Sequence, residues 1–513
     1  MTPHSLLYTD LPASWPLLSL LQCIPLLAGL LLLRLRGTAA LVIALLASLL
    51  VIILAARLYA GFDASQPFGV MQYAEHLPLW GPLQYHAAVD GMSVLFVLLT
   101  ALLGGLCVVF VLFRRWHGTA ILAVMLLIQA SLISQFVTTD LLWFLVMSVL
   151  ELLLVAYLVR RWSTNPEVMP ALMRYGLFML VGLLLLLAGM LLLGWHHNIS
   201  LEQGWSFDLQ ELARTTPQGK LQTLAFFLLF YGMAIRVPLF PFHGWLPGFL
   251  MYSNVTVAAT YLLGVKVGVY GLLRFVFPLT PEAVQDWHGV AAAFATVGVF
   301  HATLLALQCQ HLRRLIAFAV VSHTGILTIG LFTLNHHALQ GSVLLALNFG
   351  LAVSGLLLMT GLIWQRTGTT DLQRLGGLFD YIPLVGIAFL LAGLAIIGMP
   401  GTPGFNAVHF VLEGSIVSFG ALPTIAASLG NLIAAGFLLH AFQHVFLGQA
   451  NTDTTQWDIR PAHITEKVLA GTVILIIVTV GFYDAPWLAL LEQPMHGLSE
   501  LLAAAQAGTG GAQ

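Results

Sequence analysis

Charge is what this chain has least of. Only 8% of its 513 residues are Asp, Glu, Lys or Arg, whereas 59% are hydrophobic and the mean hydropathy is +0.93. A soluble protein of this size carries roughly three times as many charges, so a soluble domain is excluded. Cysteine is nearly as scarce. Cys23, Cys107 and Cys309 stand far apart in separate apolar runs, with no CxxC, no iron–sulfur spacing and no zinc set. They read as packing residues. A P-loop and a GxGxxG between strand and helix are also missing, which removes the usual nucleotide sites. The start, MTPHSLLYTD, lacks the basic n-region of a cleaved signal peptide. Alternating ten-residue strands are absent, and with them the signature of a membrane barrel. These absences leave no redox or hydrolytic site, no metal and no cofactor in this chain, and no reason to expect nucleic acid as a partner.

What the chain has is apolar length. Runs of about 20 residues, each enough to cross a bilayer, recur from 15–33 to 467–484. Their number predicts an all-α polytopic membrane protein of about 14 helices, the run 404–447 being long enough for two segments. Of the 19 Lys and Arg residues, 13 fall on one side of these spans, among them Arg34, Arg114, Arg160, Arg313 and Arg366. Four (Arg57, Arg214, Lys220 and Arg274) fall on the other, and Arg236 and Lys266 lie inside spans. The bias orients the N-terminus outside, with the bacterial inner membrane as the location. The outer stretches 61–89 and 196–221 are too short for a separate domain, and the tail LALLEQPMHGLSELLAAAQ reads as a surface-lying segment.

The chain is organised around Phe226–Phe275. There Pro238, Pro241 and Pro247, which donate no backbone hydrogen bond, interrupt a span between the two buried cations. A second interruption, GMPGTPGF at Gly398–Phe405, lies five helices further on. Two broken spans at that spacing predict two inverted five-helix repeats. The expected organisation is 1–118 for helices 1–3, 119–276 and 277–447 for the repeats, and 448–513 for the last helix and tail.

An ionisable residue at mid-membrane defaults to a functional hypothesis. Glu151 lies eleven residues after Asp140 and nine before Arg160, with Arg236 and Lys266 as its candidate partners. Arginine keeps its proton, whereas lysine gives one up when burial disfavours its charge. Lys266, in TYLLGVKVGVYGLLRF, is therefore the candidate carrier and Arg236 an electrostatic bias. His323, beside Ser322 and Thr324, is the next candidate; a satisfied core histidine is the plain alternative. His409 and Glu413 follow the second break four residues apart, hence on one helix face, and His440 and His444 share that spacing without a third ligand. Asn348 is a polar group for holding water, and Asp90 reads as a helix cap.

The stretches Asp90–Thr100, Asp140–Trp162, Arg236–Lys266 around VPLFPFHGWLP, and QHLRRLIAFAVVSHTG at 310–325 carry a resemblance. The chain resembles the antiporter-like membrane subunits of respiratory complex I, of the bacterial M type, and the related Mrp cation/proton antiporters. The resemblance implies fourteen helices and a row of buried charges along the membrane plane. An acidic residue on helix 5 pairs there with a lysine on helix 7, and a lysine on helix 8 lies centrally. Arg236 here takes the helix 7 lysine position, Val408 the ionisable helix 12 position and Phe349 the helix 11 histidine position.

The expected function is proton translocation within a complex I-like NADH:quinone oxidoreductase. Glu151 and Arg236 form the switch, and Lys266 passes a proton to His323 and on to His409 and Glu413. Flavin, iron–sulfur and quinone chemistry fall to other membrane subunits and a soluble redox arm. Two alternatives remain open. One is a proton-conducting subunit of a bicarbonate-uptake system with a soluble zinc-containing partner, or of an Mrp-type antiporter; the other is a scaffold that no longer transports.

Overall fold

The computed structural model describes residues 8–80, 83–112, 120–202, 204–253, 255–449 and 460–510. Most of these are helical. The first half contains α1 (Leu17–Leu32), α2 (Thr38–Gly61), α3 (Gly91–Leu112), α4 (Ala120–Val137) and α5 (Leu141–Trp162). The long α6 (Val168–Leu201), the short α7 (Leu209–Arg214) and α8 (Gly219–Arg236) follow. Beyond the proline-rich turn come α9 (Leu246–Tyr252), α10 (Thr256–Gly264) and α11 (Val267–Gly271), which a π-helical turn joins to α12 (Phe277–Leu279). The second half is α13 (Pro281–Leu307), α14 (Leu312–Leu331), α15 (His336–Thr367), α16 (Pro383–Ile396), α17 (Gly404–Phe419) and α18 (Ala421–Phe442). It closes with α19 (Ile464–Phe482) and α20 (Ala485–Gly510).

Among the described residues, eleven helices are long and apolar enough to cross a membrane. The predicted runs also take in α1, α8, α16 and α17, which are shorter or less apolar than the rest and would bring the number to 15. The run 404–447 divides at Gly420 into α17 and α18. α14 and α15 are buried along almost their whole length. By contrast α2, α6, α13, α18 and α19 turn Leu46, Leu184, Val297, Leu432 and Leu475 outward. Hydrocarbon gives no drive to hide such side chains, so helices associate through close packing instead. Gly350 of α15 shows how close: a Cβ there would stand 2.0 Å from the Gly264 carbonyl oxygen, so the end of α10 rests directly on α15.

Each interruption leaves carbonyls to be filled. After α8 the Leu239 N–H reaches back to Ala234 rather than Ile235, and the Trp245 indole N–H fills the Ile235 carbonyl at 3.1 Å. After α16, Gly398 and Gly401 adopt φ of +68° and +80°, which a side chain would oppose. Two asparagines serve that break: Asn348 donates to the Pro403 carbonyl (2.5 Å) and Asn431 to that of Ile397 (2.7 Å). Unwound backbone at this depth is stable only where protein supplies such partners.

The stretch 61–89, read from sequence as a loop, forms a small sheet. β1 (Thr9–Pro12) runs parallel to β2 (Val70–Trp80), and β2 antiparallel to β3 (Leu83–Val89). It lies at the arginine-poor end of the bundle. There α20 buries Leu490, Leu491, Met495, Leu498 and Leu502 across the starts of α3, α13 and α15.

Candidate functional site

Glu151 and Arg236 meet in the interior, with side chains 2% and 7% exposed. Arg236 Nη2 donates to Glu151 Oε2, and Nη1 donates to Ser148 Oγ (2.7 Å) and Gln135 Oε1 (3.2 Å). Ser148 in turn donates to Gln135 Oε1 (2.8 Å), and the Gln135 amide nitrogen faces Glu151 Oε2 (3.5 Å). A buried ion pair is stable only when its remaining lone pairs and protons are satisfied in this way. Helical spacing puts Ser148 and Glu151 on one face of α5, while the break after α8 points Arg236 at both.

Lys266 occupies a second backbone break, between α10 and α11, and is 5% exposed. Gly268, two residues on, packs on Met233 and Val237, so this break lies against the end of α8 that carries Arg236. Lys266 was expected as a possible partner of Glu151. It forms no ion pair among the described residues, and that carboxylate is held by Arg236. Its Nζ donates instead to Thr324 Oγ1 (3.4 Å) and stands 4.7 Å from the centre of the Phe349 ring. A cation over an aromatic face gains a modest attraction and no full charge compensation.

The same Phe349 ring stacks on His323 at 5.3 Å. His323 faces two acceptors, the Ala319 carbonyl (3.0 Å at Nδ1) and Asn431 Oδ1 (3.2 Å at Nε2). The second Asn431 bond, to Ile397, fixes which amide atom turns to the imidazole. A neutral ring donates through only one nitrogen, so this site has a bond waiting for a second proton. Ser322 Oγ beside it is buried without a partner among the described residues.

His409 and Glu413 do not join this row. They share a face of α17, as their spacing requires, but it is the exposed one. The buried face consists of Gly404, Ala407, Val408, Val411, Gly414 and Ser415, small residues that let α17 approach α15. A Cβ on Gly414 would meet the Ala338 Cβ at 2.3 Å. The inward position next to His409 is thus Val408, which carries no proton. The His440 and His444 rings meet edge to face at 4.4 Å, and no group of three or more metal-binding side chains gathers among the described residues.

Sequence reasoning missed a second buried ion pair. Arg274, assigned to the outer side, is 4% exposed and donates to Asp90 Oδ1 (2.6 Å), Ser93 Oγ (2.7 Å) and the Tyr270 hydroxyl (3.1 Å). Asp90 does cap α3, accepting from the Ser93 N–H (2.9 Å), and serves Arg274 as well. Gln135, Ser148 and Asn431 were also missed; a lone uncharged polar residue in an apolar run gives little signal.

At the sheet, His86 bridges Asp208 (2.5 Å) and Asp10 (2.9 Å), joining β3 to the N-cap of α7 and to β1. Burial alone would lower the proton affinity of His86, but the bonds and charges of Asp10 and Asp208 outweigh it and hold the pKa at about 10. With a folded value above the ordinary 6.5, the tie is fully present below pH 6.5 and is lost as pH rises through about 10. Thermal unfolding in detergent should therefore fall across that window. His86→Gln should lower stability by roughly 3 kcal/mol at neutral pH and flatten the dependence. A wild-type profile as flat as that of the variant would remove His86 as its origin.

These features define a helical membrane protein with a satisfied ion pair, a buried lysine and a histidine on broken or adjoining helices. A family model described as NADH:quinone oxidoreductase/Mrp antiporter, TM, matches residues 138–434, and the chain belongs to that family. Subunit M of NADH-quinone oxidoreductase from Escherichia coli is 28% identical over 445 residues, covering 84% of this chain and 86% of its own. Its counterpart from Rhodobacter capsulatus is 28% identical over 487 residues, covering 91% and 93%. A chain of respiratory complex I from Thermus thermophilus superposes with a TM-score of 0.86 at 25% identity, covering 94% of this chain and 99% of that one. A chain of the Mrp complex from a Dietzia species gives 0.84 at 18% identity, covering 96% and 98%, a likeness of fold. Both curated relatives are named as subunits of NADH-quinone oxidoreductase, and this chain is an integral membrane subunit of that kind.

Proposed function

We propose that the chain translocates protons as a membrane subunit of a complex I-like NADH:quinone oxidoreductase, through Glu151, Arg236, Lys266 and His323. The observation that carries this reading is the pairing pattern. Glu151 and Arg236 compensate each other, while Lys266, on the adjoining break, has no carboxylate among the described residues. Closed, the pair presents little net charge. When α8 shifts at its break and parts the two, Arg236 becomes an uncompensated cation beside Lys266. Repulsion between two cations in a low-dielectric interior is worth several kcal/mol, and Lys266 relieves it by giving its proton up. Thr324 receives the lysine N–H, and the unoccupied Ser322 hydroxyl lies on the same helix turn as His323, where Asn431 and the Ala319 carbonyl hold a proton.

His409 and Glu413 have no part in the route within this chain, because they face outward. The arginine-rich end is the cytoplasmic side and the sheet lies outside. The two broken spans are the centres of two inverted repeats. Redox groups belong to partner chains. Purification of the tagged chain from its own membranes should bring down the redox subunits of an NADH:quinone oxidoreductase. A soluble zinc-containing partner in their place, without redox chains, would overturn the assignment in favour of inorganic-carbon uptake.

A further inference from the structure

Three arginines of the interior each hold a carboxylate: Arg236 has Glu151, Arg274 has Asp90 and Arg366 has Glu466. Arg313, 5% exposed, forms no ion pair among the described residues. Its Nη1 donates to the Ser253 carbonyl (3.0 Å) and its guanidinium lies 5.6 Å from the centre of the Trp364 ring, while Nη2 has no hydrogen-bond partner among the described residues. A buried cation whose partner is missing is costly, and its location shows where a partner would sit.

Arg313 lines a cavity of about 350 Å³ at the arginine-rich end of the bundle, where α5, α9 and α15 finish and α14 begins. That volume falls within the range of small-ligand sites. Asn165, His311, Thr369 and Thr370 line it further, and Thr164 and Gly368 stand exposed at its rim. The positive end of α14 starts here, and its N-cap residue, His311, offers no side-chain cap. The neighbouring carboxylate, Asp371, is joined to His311 by a backbone bridge and spends Oδ1 on the Gln373 N–H.

We propose that this cavity binds a phosphate-bearing anion, with Arg313 as its counter-charge. The guanidinium, of which the described residues engage only Nη1 by hydrogen bond, supplies the charge and a charge-assisted hydrogen bond to a phosphate oxygen. Asn165 and the threonines supply neutral bonds. The pocket opens at the end of the bundle where Arg160 and Arg161 raise the local positive field. Two sources share this chemistry, the headgroup of an anionic lipid and free inorganic phosphate.

The test uses the complex purified in phosphate-free detergent. It is exchanged against phosphatidylglycerol or phosphatidylcholine and weighed by native mass spectrometry; its unfolding is also followed with and without inorganic phosphate. A lipid site predicts retained phosphatidylglycerol, reduced about tenfold in Arg313→Gln, the weight of one charge-assisted bond, and unchanged in Arg314→Gln, an exposed neighbour. A free-phosphate site predicts no retained lipid and a phosphate-dependent rise in unfolding temperature that Arg313→Gln abolishes. Equal behaviour of wild type and Arg313→Gln in both arms overturns the proposal. If Arg313→Gln does not assemble, Asn165→Leu on the cavity wall takes its place. Reduced retention or a reduced phosphate response then supports the site, and wild-type behaviour in both arms overturns it.

Discussion

Lys266→Met is expected to stop proton translocation while leaving the chain folded in its membrane. Methionine is unbranched, nearly as long and apolar, so it fits a site that is 5% exposed and faces an aromatic ring. It also removes a buried ammonium that lacks a carboxylate, so stability should hold or rise by about 1 kcal/mol. Proton movement should not survive, since neither Arg236 nor Phe349 exchanges a proton in its place. Loss of a positioned acid–base group costs about 100-fold or more in rate. The measurement is proton flux into proteoliposomes carrying the assembled complex, alongside its NADH oxidation. Flux at the wild-type rate would exclude Lys266 from the route.

The second large effect concerns the ion pair, which separates a switch from a static clamp. Glu151→Gln leaves Arg236 buried and uncompensated, and Arg236→Met does the same to Glu151. Each should cost roughly 3–5 kcal/mol of stability. The double variant removes both charges from a site whose other members, Gln135 and Ser148, still bond each other (2.8 Å), so it should recover most of that loss. Thermal unfolding of the four proteins gives the coupling energy directly. Flux then decides the role: a switch predicts that the stable double variant is as inactive as the singles. If the double variant regains flux along with stability, the pair only joins helices.

Much of this site was legible because charge in an apolar run is conspicuous. Glu151, Arg236 and Lys266 are visible for that reason, as are the proline and glycine interruptions beside them. Arg274 was visible too but misplaced. It sits eight residues beyond Lys266 near the end of its run, and position alone does not distinguish a side chain at the surface from one turned back onto Asp90. His409 and Glu413 show the limit of periodicity. Spacing of four places two residues on one face without saying which face is inside. The small residues Gly404, Ala407, Gly414 and Ser415 carried that information, since helices in a membrane approach through small side chains. The sheet was hidden for a different reason. His86 meets Asp208 and Asp10 across separations of 122 and 76 residues, and no local pattern records such a meeting.

Phe349 has a consequence for energy conservation. The benzene ring lies against both the lysine and the histidine, and it can neither accept nor release a hydrogen ion. On the proposed route it closes the direct line between them, so charge would pass only by way of the Thr324 and Ser322 hydroxyls or of water that slips past the ring. A membrane studded with these subunits would thus keep its voltage when respiration pauses, instead of discharging through its own pumps.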